Sequence, residues 1–214
     1  MRPHKRPQTI AEEIANAISH GAGLVAAMIA FPILLIVTAQ NGTTINIVAA
    51  SIFATTMVLM YLFSTLYHAV PAGPRKQFLR KMDHAAIYLL IAGSYTPFTM
   101  GILKGAWGWT LFGMIWAIAI LGLVLMFWNK LSRPWISNGL YLLMGWLVLI
   151  AIVPLVQKLS PAGLTWLVAG GLAYTGGVIF YATDAKLRFG HFVWHLFVLA
   201  GTVCHFFAIL WHAY

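Results

Sequence analysis

The sequence predicts an all-α membrane protein, a bundle of seven transmembrane helices with its N-terminus in the cytoplasm and its C-terminus outside. Three observations carry this. Of the 214 residues, 61% are hydrophobic and 8% charged, with a mean hydropathy of +0.86, too little polar surface for a soluble domain. The apolar residues form seven runs of about 20 residues, the length that crosses a bilayer core, at roughly 18–39, 45–67, 84–103, 108–128, 136–156, 162–183 and 190–213. Their continuity excludes a closed barrel, whose strands alternate. The basic residues also sort by side. Arg2, Lys5 and Arg6 precede the first run, Arg75, Lys76, Arg80 and Lys81 follow the second, Lys130 and Arg133 the fourth, and Lys186 and Arg188 the sixth. The other side has only Lys104 and Lys158. The crowded side is cytoplasmic by the positive-inside rule.

The net charge of +9 is therefore an orientation signal, and no nucleic-acid partner is expected. Residues 1–214 read as a single membrane domain of the inner cell membrane, with 1–17 as a cytoplasmic N-terminal segment. The first apolar run is too long for a signal-peptide core and lacks a small-x-small cleavage site, so it reads as a retained span. The single Cys204 excludes a disulfide framework and a cysteine-based zinc motif.

In chain order, residues 1–9, which include His4, are basic, Pro-containing and expected to be mobile. Thr9 can cap a helix whose first turn holds Glu12 and Glu13, the charge that a helix N-terminus favours. Glu13, Asn16 and His20 follow at i, i+3 and i+7, one polar face leading into the first span. It either lines the membrane interface or closes a polar site. The second span ends Ser64-Thr65-Leu66-Tyr67-His68, with Ser64 and His68 one turn apart, and Pro71, Gly73 and Pro74 break the helix. The third starts with Asp83-His84 and meets Pro97, where the missing amide hydrogen bond should kink it. Spans four to six carry no acidic or His residue in their apolar cores, and their glycines read as close helix contacts. Gly171-Leu172-Ala173-Tyr174 and Gly176-Gly177 offer such contacts within the bundle or between protomers, so a homo-oligomer is one outcome. No internal repeat is visible, which disfavours an inverted-repeat transporter.

Eight His among so few charges is the main chemical signal. The topology puts His20, His68, His84, His191 and His195 at one depth near the cytoplasmic face, with Glu13 and Asp83. An intramembrane ionisable group is a functional-site hypothesis by default. His191 and His195 stack one turn apart on one helix face, and His68 from the second span brings the ligand count to three, as in a catalytic metal site with one open position. Nitrogen ligands without thiolates suit zinc, and iron or another divalent metal also fits. Asp83 and Ser64 are the candidate catalytic groups beside the metal: Asp83 could hold a metal-bound water or orient a ligand, and Ser64 could hydrogen-bond His68. Glu13, Asn16, His20 and His84 are candidates for the surrounding shell. The plainer alternative is that Glu13 and His20 pair with each other and His84 is interfacial. His205, about 15 Å along the helix from His195, is too far for the same metal, and it reads, like His212, as a packed side chain.

Glu13-x-x-Asn16-x-x-Ser19-His20, then Ser64-x-x-x-His68 with Asp83 after a short basic loop, then His191-x-x-x-His195 with Gly201 and Cys204-His205-Phe206 beyond, resemble the signatures of the haemolysin III family. That family is the bacterial branch of the progestin and adipoQ receptor group, which includes the adiponectin receptors. The resemblance runs from Glu12 to the end of the seventh span. It implies a seven-helix bundle with a cytoplasmic N-terminus, zinc ligands at His68, His191 and His195, and Asp83 holding a zinc-bound water. The wider superfamily includes alkaline ceramidases, so the implied chemistry is zinc-dependent hydrolysis of a lipid amide or ester, with Asp83 as general base. Membrane lipids are the implied partners, with a lipid substrate in the bundle cavity. The long N-terminal extension of the eukaryotic receptors is not in this sequence, so ligand-coupled signalling is not expected to carry over.

A zinc-dependent membrane hydrolase, or a lipid or membrane-state sensor on the same scaffold, is therefore the first expectation. A cytolytic pore, which the family's name implies, is the alternative, and it ranks lower because the middle of the bundle is poor in polar residues. Residues 190–214 contain no Lys, so a retinal Schiff base has no anchor there.

Overall fold

The computed structural model describes residues 6–128, 130 and 134–214; Arg2, His4, Lys5 and Arg133 lie outside the described residues. Seven stretches are helical, long and apolar enough to cross a membrane, and no strand occurs among the described residues. The helices are α1 (Ile10–Asn41), α2 (Thr44–Ala69), α3 (Pro74–Pro97) running into a π-helical turn (Phe98–Leu103), and α4 (Gly105–Phe127). Then come α5 (Pro134–Trp146), a 3-10 turn (Leu147–Ala151) and α6 (Ile152–Lys158), which share the fifth span, followed by α7 (Pro161–Thr183) and α8 (Gly190–His212). The chain is a multi-pass membrane protein. α1 packs on α2 and α8, α2 on α3, α3 on α4, and α7 on α8. Ile29, Ile36, Ile120, Val153, Leu172 and Ile179 stay exposed, the apolar exterior of a bundle solvated by lipid.

Two helices begin earlier than their apolar runs. α1 starts at Ile10 because Thr9 and Glu12 form a capping box, with the Thr9 amide donating to Glu12 Oε2 at 2.9 Å and the Glu12 amide donating to Thr9 Oγ1 at 3.3 Å. α3 starts at Pro74, where a fixed φ and a missing amide suit the first helical position. Asp83 and His84 therefore sit inside α3 rather than at its beginning. Residues 6–9, expected to be mobile, are tied down. Arg6 clamps Glu12 with its two terminal nitrogens at 2.9 and 2.6 Å, and Gln8 Oε1 accepts from Asn16 Nδ2 at 2.7 Å.

At Pro97, where a kink was expected, the helix type changes: α3 ends there and the chain continues as a π turn. The 3-10 break in the fifth span is not visible in its hydropathy. It is organised by Tyr95 of α3, whose hydroxyl lies 2.8 Å from the carbonyls of Met144 and Gly145 and accepts the Val148 N–H at 2.9 Å. One buried phenol thus serves backbone groups that regular helix would pair internally.

Close packing at glycine holds where a Cβ would strike a ring: Gly122 lies on Tyr88, Gly177 on Trp194 and Phe197, and Gly170 on His205. Gly171, expected to make a helix contact, faces open space and borders an internal cleft.

Candidate functional site

The start of α1, the end of α2, the middle of α3 and the start of α8 meet at one end of the bundle. His68 sits in the last turn of α2, while His191 and His195 lie one turn apart at the start of α8. One ring nitrogen from each of the three lies within 4.8 Å of the others, so the trio can hold a metal ion. His68 and His195 are buried, and His191 is half-buried.

Each ring has its tautomer set by what its Nδ1 faces. His68 Nδ1 lies 2.7 Å from the Glu13 carboxylate, which only accepts. His191 Nδ1 lies 3.3 Å from the Asp184 carboxylate. His195 Nδ1 lies 3.0 Å from Ser19 Oγ and 3.3 Å from the Asn16 carbonyl. The Ser19 hydroxyl proton already goes to that carbonyl at 2.9 Å, so His195 must donate. All three rings therefore carry the proton on Nδ1 and present a bare Nε2, the form that binds a metal. His68 Nε2 is buried with no hydrogen-bond partner, an isolated lone pair that a cation would satisfy.

Beside the trio, Ser64 Oγ lies 2.7 Å from His20 Nδ1, and Ser64 and Asp83 border the same cleft. His20 stacks flat on His195, with ring centroids 3.5 Å apart and planes within 8°. Ser64, Asp83, His20, His191 and His195 border a cleft that runs between α3, α5, α7 and α8, with an empty volume of about 1090 Å³ including its mouth. Away from the histidines its walls are apolar, through Ile87, Leu90, Leu142, Val178 and Val198. A second cleft of about 730 Å³ shares Ser94, Tyr95, Trp146, Gly171 and His205 with the first and carries the apolar space on toward Leu103 and Leu155.

A protein-family model described as Haemolysin-III related matches residues 8–206. The chain belongs to that family. It is 42% identical over 207 residues to "Hemolysin-3" of Bacillus cereus, covering 96% of this chain and 93% of the relative. It is 44% identical over 204 residues to the "Hemolysin-3 homolog" of Bacillus subtilis (strain 168), 95% of each chain. Human "Monocyte to macrophage differentiation factor" is 28% identical over 217 residues, 96% of this chain and 86% of the relative. No solved structure matches the chain.

Among the residues expected at a haemolysin III site, His68, His191 and His195 converge, and Asp83, Ser64, Glu13, Asn16 and His20 surround them. Two pairings differ from expectation. Glu13 does not pair with His20, which lies two turns farther along α1: it bridges His68 and Lys76, the latter at 3.0 Å. Ser64 turns to His20 rather than to His68. His84 lies on the cleft wall, with Nε2 3.4 Å from the Tyr181 hydroxyl. His205 donates Nε2–H to the Leu167 carbonyl at 3.3 Å, and His212 pairs with Ser160 at 2.9 Å; both stay out of the trio.

Sequence reading missed three contributors. Asp184, one of the chain's four acidic residues, is brought onto His191 by the turn into α8. Lys76 was a loop charge. Glu12 was only a first-turn acid, whereas its Oε1 accepts the Phe189 N–H at 2.9 Å and fastens α1 to the start of α8. The capping-box spacing was a signal for its local bond, but nothing local points to Phe189.

Proposed function

We propose that this haemolysin III protein is a zinc-dependent hydrolase of membrane lipids, with His68, His191 and His195 holding the metal. The single observation that supports it most is the shared tautomer: three acceptors, Glu13, Asp184 and the Ser19–Asn16 pair, leave an Nε2 lone pair free on each ring, and two of the rings, His191 and His195, border one end of an apolar cleft. Zinc held there would supply a Lewis acid for the scissile carbonyl and a water acidic enough to attack at neutral pH. Asp83, buried and facing the cleft, is placed to take up the proton of an attacking water and return it to the leaving group. Ser64 lines the same cleft. Glu13 and Asp184 fix the ring orientations of two ligands and spread the positive charge of a bound cation. The apolar walls suit acyl chains and exclude bulk water from the polar end.

By the charge distribution this end of the bundle faces the cytoplasm. A sensor that binds the same lipids without turnover uses the same site. The cytolytic reading follows from the printed names of the Bacillus relatives, but the apolar cleft walls do not favour an aqueous pore.

Metal analysis of protein purified without affinity metals tests the site: about one zinc per chain is expected in the wild type, and none in His191→Ala or His195→Ala. Metal-free wild type sinks the proposal. Release of fatty acid from an N-acyl lipid in mixed micelles tests turnover. Loss of release in Asp83→Ala with zinc retained supports the hydrolase, whereas zinc-loaded wild type without any release favours the sensor.

A further inference from the structure

α3 lines the first cleft from Asp83 and His84 through Ile87 and Ile91 to Ser94 and Tyr95, and spacings of three and four residues put these on one stripe of a regular helix. At about 100° per residue, the centre of that stripe carried back toward the start of α3 falls on Arg80 and then on Lys76. Lys76 is taken. Its Nζ donates to the carbonyls of Tyr67 and Val70 at 3.0 and 3.1 Å and reaches the Glu13 carboxylate at 3.0 Å. Arg80 is exposed, and among the described residues no carboxylate lies within ion-pair reach of it: Glu12 takes Arg6, Glu13 takes His68 and Lys76, and Asp184 faces His191. Helical rise sets Arg80 about 5 Å beyond Asp83 and His84, past the polar end of the cleft. Arg75 and Lys81 lie about 100° or more round the helix from the stripe. The positive-inside rule accounts for basic residues at this end, but it is blind to helix face. It leaves an arginine in line with the cleft unexplained.

We propose that Arg80 binds the phosphate of the lipid whose acyl chain enters the cleft, which narrows the substrate class to acyl phospholipids with the phosphate a few bonds from the scissile carbonyl. A guanidinium presents a planar fork of donors that matches two phosphate oxygens at once. Its stem can lie along apolar surface while the charged head stays in the interface. Asp83 borders the cleft one turn farther in, so a phosphate at Arg80 leaves the acyl bond near Asp83 and the chain along Ile87, Leu90 and Val178. The head group is then held where membrane meets water. This rests on the lipid-cleft reading above and adds the charge of the head group to it.

Two lipids that differ only in the phosphate separate its contribution from that of the chain. Full-length protein in an uncharged detergent is given a fluorescent monoacylglycerol as the probe, and its anisotropy is followed as unlabelled competitor is added. The competitors are a lysophosphatidic acid and a monoacylglycerol with the same acyl chain. In the wild type the lysophosphatidic acid should compete at about fivefold lower concentration, the scale of one basic side chain acting on an anionic head group at a membrane surface, and high salt should shrink that preference. Arg80→Gln should treat the two lipids alike, Arg80→Lys should keep part of the preference, and Arg75→Gln, off the stripe, should keep all of it. Equal competition in the wild type overturns the proposal without recourse to any variant. So does a preference that survives in Arg80→Gln, or one that Arg75→Gln loses as fully as Arg80→Gln, since a diffuse positive surface would then be its source. Glycerol 3-phosphate competing as well as the lysophosphatidic acid overturns the lipid as the occupant. A wild type without saturable probe binding sinks the lipid-cleft reading and this proposal together, whereas probe binding without a phosphate preference sinks only the latter.

Discussion

The Glu12 carboxylate accepts the Phe189 N–H at 2.9 Å across 177 residues of chain, while its other oxygen closes the capping box with Thr9. Phe189 is the residue before α8 and has φ +59, a left-handed conformation that costs a bulky side chain about 1–2 kcal/mol. The bond to Glu12 offsets part of that cost and sets where α8 begins, hence where His191 and His195 point. Glu12→Ala is expected to lower stability by about 1–2 kcal/mol, the usual loss for a helix cap, and to weaken metal retention although Glu12 touches no histidine of the trio. Thermal unfolding in detergent and zinc content check this; a stability loss without any change in zinc content would separate Glu12 from the site.

Glu13 and Asp184 each face the Nδ1 of one ring of the histidine trio. Glu13→Ala and Asp184→Ala should each weaken zinc about 10- to 100-fold while leaving a protein that still binds it. His68→Ala, His191→Ala and His195→Ala should abolish tight binding. Competition with a chromophoric chelator orders the five variants, and equal losses in all of them would contradict the division into ligands and supports.

If zinc ties α2 to α8, its removal loosens the bundle. Stripping wild-type protein with a chelator should lower its unfolding temperature, and readdition of zinc should restore it, because a ligand bound only to the folded state stabilises that state. The temperature should not respond to chelator in His191→Ala.

Tyr95→Phe removes the hydroxyl that receives the Val148 N–H and faces two carbonyls at the 3-10 break. The expected cost is about 1–2 kcal/mol, toward the upper end for membrane hydrogen bonds because several backbone groups lose a partner at once. Zinc affinity should be unchanged, since the break is remote from the trio. Paired unfolding and metal-binding measurements test both halves.

Two neighbouring glycines make opposite predictions. A Cβ on Gly170 would overlap the His205 ring, whereas one on Gly171 meets nothing within 4 Å. Gly170→Ala should destabilise by about 1–3 kcal/mol through overpacking, and Gly171→Ala should stay within about 0.5 kcal/mol of wild type. A bulky Gly171→Leu should narrow the cleft and depress lipid release with zinc still bound.

Much of this architecture follows from local pattern. The seven runs mark seven spans because a bilayer imposes the same length on every helix. The Thr9-x-x-Glu12 box marks the true start of α1, even though hydropathy alone begins the helix later. The cluster of three histidines was legible because His68, His191 and His195 sit at span ends that alternating topology assigns to one side. The pairings around them were not. Periodicity put Glu13 and His20 on one face of α1, but it could not say that Glu13 reaches Lys76 and His68 while His20 meets Ser64. Those partners lie on two other helices, α2 and α3, whose rotations about their axes are set by packing.

By itself, then, the sequence determined the class of solvent, the number of crossings and which chemical groups share an end of the bundle. Hydrophobic run length, charge asymmetry and residue type are all one-dimensional quantities. Only the tertiary structure decided the direction of each hydrogen bond, which nitrogen of each imidazole is bare, and that Tyr95 organises a break in a span it is far from in sequence. Such facts depend on helix rotation and separation to within an ångström, and those are fixed by many side chains packing together rather than by any stretch of chain.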